Sequence, residues 1–136
     1  MRPPEEVKRK LVQQWMAKAE EDISAAEALL LREWPLLYPS CFHSQQAAEK
    51  YIKAFLTQYQ VEFPKTHAFG ELLDLVSQVD GNLATLLRDV TALNPYGVEV
   101  RYPGDAPEPT CAEAQEALEL ARKVCSAIHN ALKGRA

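Results

Sequence analysis

Arg122 and His129 stand seven residues apart near the end of the chain, in a segment whose apolar residues recur at helical spacing. At about 100° per residue, that separation puts both on one side of a helix, two turns from each other. An imidazole beside a guanidinium suits metal-independent cleavage of RNA. The histidine would move a proton at the 2′-hydroxyl or the leaving oxygen, while the arginine stabilises charge on the phosphate. The same spacing also fits an ordinary solvated helix rim, shared with Gln115, Ser126 and Lys133. A second set, His43, Gln46, Lys50 and Lys53, forms one polar stripe on an earlier helix. It could bind a phosphate or nucleotide, or simply face water. Thr66-His67 reads most simply as a helix cap followed by a first-turn histidine. Arg101-Tyr102-Pro103, held in a proline-bounded loop, reads as an anchor or binding feature.

Other chemistries find no foothold. The sequence has no phosphate-binding glycine loop, no GxGxxG, no HExxH and no CxxC pair, so no metal and no cofactor is expected. Cys41, Cys111 and Cys125 are odd in number. With Cys41 and Cys125 on apolar helix faces, they read as free thiols in a reducing cytoplasm. Cys41 and His43, two apart on a helix, point in different directions and do not make half a metal site. A formal net charge of −4 argues against a broadly basic nucleic-acid surface while leaving room for a local patch. No apolar run is long enough to span a bilayer, and MRPPEEVKRK lacks the apolar core of a secretory signal.

The elements that must position these residues are helical. The central one runs from Ser40 to Tyr59, with Cys41, Ala48, Tyr51, Ile52, Phe55 and Tyr59 on its apolar face and Ser40 as its expected N-cap. Ala47 and Ala54 beside the polar stripe would let another backbone approach closely. A first helix spans Glu5 to Arg32, with Val7, Leu11, Trp15, Ala19, Ile23, Ala26 and Leu30 inward, and the short WPLLYP link favours an antiparallel hairpin. A third helix is expected from about His67 to Val79, capped by Thr66. A fourth should run from about Leu83 to Leu93, ended by Asn94-Pro95. Asn94 to Pro109 reads as a loop. Thr110-Cys-Ala-Glu113 is a capping box, so a final helix starts there and ends at Lys133-Gly134. With 136 residues, one hydrophobic core suffices. The expectation is a single all-α domain over 1–136, an up-and-down bundle of four to five helices.

The run FHSQQAAEKYIKAFL, then THAFGELL, then RYP, then a final amphipathic helix, resembles the prokaryotic HEPN domains of the nucleotidyltransferase-associated type. The match reaches from about Trp15 to Leu132. The resemblance implies a cytoplasmic helical homodimer that works with a separately encoded minimal nucleotidyltransferase in a toxin–antitoxin-like pair. Many members are ribonucleases whose motif is an Arg, four to six residues, then a His on the last helix, with two copies meeting across the dimer. Arg122 and His129 have six residues between them, and Lys123 stands where a small polar residue is usual. In the subgroup with the RYP loop, the shared residues are His43, Lys50, Lys53, His67 and Arg101 beside Tyr102, and a nucleotide-binding role is implied for them. Two outcomes follow: a metal-independent ribonuclease acting on RNA, or a nucleotide-binding or partner-docking module without catalysis of its own.

Overall fold

The computed structural model describes residues 4–98, 102–104 and 107–133. Its helices are α1 (Glu5–Leu31), α2 (Leu37–Gln58), α3 (Phe69–Ser77), α4 (Gly81–Leu86), a 3₁₀ helix (Arg88–Gly97) and α5 (Cys111–Lys133). No strand occurs among the described residues, so the all-α bundle expected from the periodicity is the fold. None of these helices is long and apolar enough to cross a membrane.

α2 is the hub, packed against α1, α5, α3 and the 3₁₀ helix. Its apolar side, with Cys41, Ala48, Tyr51, Ile52 and Phe55 all buried, meets Ala114, Ala117, Ala121, Val124 and Ile128 of α5. Small residues set the closeness of α1 and α2: Ala19 and Ala26 on one, Ala47 and Ala54 on the other, are fully buried. The hairpin is antiparallel: the Ser40 hydroxyl donates to the Ala26 carbonyl at 2.9 Å, while Lys53, further along α2, lies over Trp15, earlier in α1. α1 also runs antiparallel to α5, with Glu27 beside Arg122 and Glu20 beside His129.

Several boundaries differ from expectation for physical reasons. Ser40 does not cap α2. The helix begins three residues earlier, because Pro39 sits in the first turn, where a missing N–H costs no helical bond. Nor does Thr66 cap α3. Its hydroxyl accepts from Ala68 N–H in a local turn, and the N–H of Phe69 is taken by the Asn94 side chain at 2.9 Å. The expected fourth helix divides into α4 and the 3₁₀ helix, which continues through Asn94-Pro95 to Gly97. Pro95 there forfeits one i→i+3 bond only. The first residues of the expected 94–109 loop are thus helical.

Val7 and Leu11 were expected inward and are exposed. Lys53 of α2 lies level with Trp15 of α1. Beyond that level α2 has five residues left, about 7.5 Å, whereas α1 has ten, about 15 Å. The first turns of α1 overhang the bundle. The α5 capping box forms as read: Thr110 N–H donates to Glu113 at 2.8 Å and Glu113 N–H to the Thr110 hydroxyl at 3.1 Å.

Asp80 carries the start of the short α4, its carboxylate accepting from Leu83 N–H at 3.0 Å. Asp80→Ala should lower stability by about 1 kcal/mol, read as a fall in the urea midpoint at unchanged slope, while Asp80→Asn keeps most of it.

Candidate functional site

Two carboxylates organise the polar side of α2. Asp22, on α1, accepts from His43 Nδ1 at 2.8 Å with Oδ1 and from Lys50 Nζ at 2.6 Å with Oδ2. Glu49, on α2, accepts from His67 Nδ1 at 2.7 Å and Gln45 Nε2 at 3.0 Å with Oε1, and from Lys53 Nζ at 2.8 Å with Oε2. Each carboxylate therefore holds one histidine and one lysine. With an ionised carboxylate opposite, Nδ1 is the donor, and the Nε2 edge of each ring is left for another partner. His67 is 64% exposed and His43 34%.

The stripe His43, Gln46, Lys50 and Lys53 is not one solvated face. The Lys53 side chain is only 9% exposed. Its ammonium lies 5.7 Å from the Trp15 ring centre and 5.6 Å from that of Phe63, with Glu49 as counter-ion. The two rings meet edge to face. This enclosure offsets the cost of burying the ammonium. Gln46 donates to Gln45 at 2.7 Å and so joins the same network. Burial alone would push the Glu49 carboxyl up. Hydrogen bonds from Lys53, His67 and Gln45, with the lysine charge, outweigh that and hold it below the ordinary value. Gly97 closes the site from the 3₁₀ helix: a Cβ there would lie 3.3 Å from Gln45 Nε2 and 3.4 Å from His67 Cβ.

Arg122 and His129 sit apart from this network, on the α1-facing edge of α5. Arg122 Nη2 is 3.3 Å from Glu27 Oε1 and His129 Nε2 is 4.0 Å from Glu20 Oε1; the α5 side chains are 52% and 49% exposed. The His129 ring also rests against Tyr51, centre to centre 5.9 Å. Lys123 points elsewhere, to Asp89 at 2.9 Å. Tyr102 is exposed, and Arg101 lies outside the described residues.

Asp22, Gln45, Trp15 and Phe63 do not stand out as site residues in the sequence. Glu49 and Lys53 do carry a signal, since an i, i+4 acid–base pair on a helix is a contact. Asp22 carries none, because its partners lie 21 and 28 residues away. Cys41 is structural in character: burial pushes its thiol up to about 11, with Tyr96 beside it. Among the described residues no group of three or more His, Cys, Asp and Glu side chains could hold a metal ion.

The helical bundle has known relatives. The family profile of the HEPN domain matches residues 12–131, and the chain belongs to that family. Among solved structures it is similar to TT1696 from Thermus thermophilus. The two are 28% identical, over 88% of this chain and 96% of that one, with a TM-score of 0.65. No curated protein matches the chain.

Lys53→Met keeps an apolar stem between the rings but leaves the buried Glu49 without its lysine, held by His67 and Gln45 alone. It should cost roughly 3 kcal/mol, most of it regained in Lys53→Met/Glu49→Leu, both read by urea unfolding. Because the folded Glu49 carboxyl titrates below the ordinary 4.5, its contribution is complete above that value and lost as pH falls through the folded one. Glu49→Gln should flatten this acid-side loss of stability.

Proposed function

We propose that this HEPN protein is the RNA-cleaving partner in a cytoplasmic pair with a separately encoded minimal nucleotidyltransferase, that it acts as a homodimer, and that residues 1–136 work as one domain. One observation carries the reading. Arg122 and His129 are half open to solvent on one edge of α5, with Glu27 and Glu20 at 3.3 and 4.0 Å, whereas Lys50 and Lys53 are more enclosed and held closer, at 2.6 and 2.8 Å, by Asp22 and Glu49. In this chemistry the RNA 2′-oxygen attacks the adjacent phosphorus, and the 5′-oxygen of the next nucleotide leaves. His129 takes the 2′ proton or supplies the proton to the leaving oxygen, and Arg122 stabilises the charge that builds on the phosphate. Residues seven apart on a helix are separated by about 10.5 Å along its axis, too far to flank one phosphorus while each stays on its glutamate. A second copy, bringing its own pair alongside, answers that spacing, and the uncovered apolar edge of Val7 and Leu11 supports a homodimer.

A second reading has its own support. The partly exposed rings of His43 and His67, bonded among the described residues through Nδ1 only, with Lys50 beside Asp22, favour docking of a nucleotide or of the partner protein, with Arg101 and Tyr102 as further contacts. Lys53, enclosed by Trp15 and Phe63, then serves as the strut behind that surface.

Purified protein should cut cellular RNA in the presence of EDTA. His129→Ala should lower the rate at least about 100-fold, Arg122→Ala should do so comparably, and His43→Ala should leave cleavage intact. The reverse pattern, loss with His43→Ala and none with His129→Ala, would move the function to the α2 surface.

A further inference from the structure

α1 sets a glutamate opposite each member of the α5 pair, Glu27 against Arg122 and Glu20 against His129. The glutamates are seven residues apart, as are Arg122 and His129, so the register of two antiparallel helices is kept across two turns. Neither glutamate is buried, and among the described residues neither makes a hydrogen bond to backbone or caps a helix. What they do in the fold is face this pair. All four side chains are between 40% and 63% exposed, a setting in which ion pairs are weak and exchange readily with a competing anion. To a guanidinium, a carboxylate and a phosphodiester look alike: two oxygens that share one negative charge and accept parallel N–H bonds.

We propose that Glu20 and Glu27 stand in for backbone phosphates of a single-stranded RNA, flanking His129 and pairing with Arg122 until a strand displaces them. The inference rests on the ribonuclease reading of that pair. The carboxylates act twice: Glu27 pairs with the Arg122 guanidinium at 3.3 Å while Glu20 stands 4.0 Å from the His129 ring, ready to pair with it once protonated, and both repel the phosphates of an approaching strand. They thereby set the affinity threshold that a substrate must exceed, in a chain whose net charge of −4 already disfavours polyanions.

The test compares wild type, Glu20→Gln/Glu27→Gln and the control Glu21→Gln. The control removes one charge from an exposed α1 residue that faces Lys18. Binding is read by fluorescence anisotropy with a labelled 2′-O-methylated single strand, which lacks the attacking hydroxyl; cleavage is read with the matching RNA, and circular dichroism checks folding. Glu20→Gln/Glu27→Gln should bind about fivefold tighter or more than wild type, and Glu21→Gln should not. Adding Arg122→Ala should remove most of the gain. Tightening of about twofold or more by Glu21→Gln, its share of the charge removed, would overturn the proposal, since general charge would then explain the gain. Reduced cleavage at unchanged affinity would also overturn it, making the glutamates positioning residues for the pair. If wild type cuts RNA through His129 and the double variant gains nothing, this inference fails and the ribonuclease reading stands. If no variant binds or cuts RNA, the ribonuclease reading itself fails and takes this inference with it.

Discussion

Taking the Glu49 carboxylate out of water costs several kcal/mol, and the surrounding structure is arranged to meet that cost. Its two oxygens collect hydrogen bonds from Gln45 and Lys53 on the same helix and from His67 in the connection to α3. Each donor brings its own requirement. Lys53 must lose its water, so Trp15 of α1 and Phe63 of the connection close over it. Gln45 and His67 leave little room beside them, so the 3₁₀ helix approaches with a glycine at position 97. One desolvated charge thus fixes the relative placement of α1, α2, the segment leading into α3, and the 3₁₀ helix. An apolar core of alanines and leucines alone would tolerate sliding of those pieces; a buried carboxylate with its donors at hydrogen-bond distance does not.

The second carboxylate, Asp22, repeats the motif nearer the surface and ties α1 to α2 through His43 and Lys50. The third acidic set, Glu20 and Glu27, lies on the other edge of α1 and faces α5. α1 is therefore the source of counter-ions for both of its neighbours. These acids stand where cations already are, which is why composition says little about the surface a ligand would meet.

How much of this was legible follows from the range of each interaction. The helices of a bundle advertise themselves in apolar spacing, and α1, α2 and α5 appear within a few residues of where periodicity puts them. The Thr110–Glu113 capping box is local, three residues across, and needed no tertiary knowledge. The cap of α3 is supplied by Asn94, 25 residues further on, and no local rule reaches it. The same holds for the candidate site. His43, Lys50, Lys53 and His67 were visible as residue types, but what each of them holds was not. The acceptors Asp22 and Glu49 are ordinary acids on helices until the fold brings them to their partners. Arg122 and His129 were visible through spacing and through resemblance, while the glutamates opposite them emerged only when α1 and α5 were seen side by side.

The enclosure of Lys53 has an optical consequence. The chain has two tryptophans. Trp34 stands in the open link between α1 and α2, and Trp15 has an ammonium over its ring and Phe63 against its edge. Indole emission responds to nearby charge and to water, so the two rings emit from different surroundings. With Trp34 replaced by phenylalanine, the remaining signal belongs to the buried ion cluster. The protein carries its own spectroscopic gauge of whether Glu49, Lys53 and His67 are still assembled.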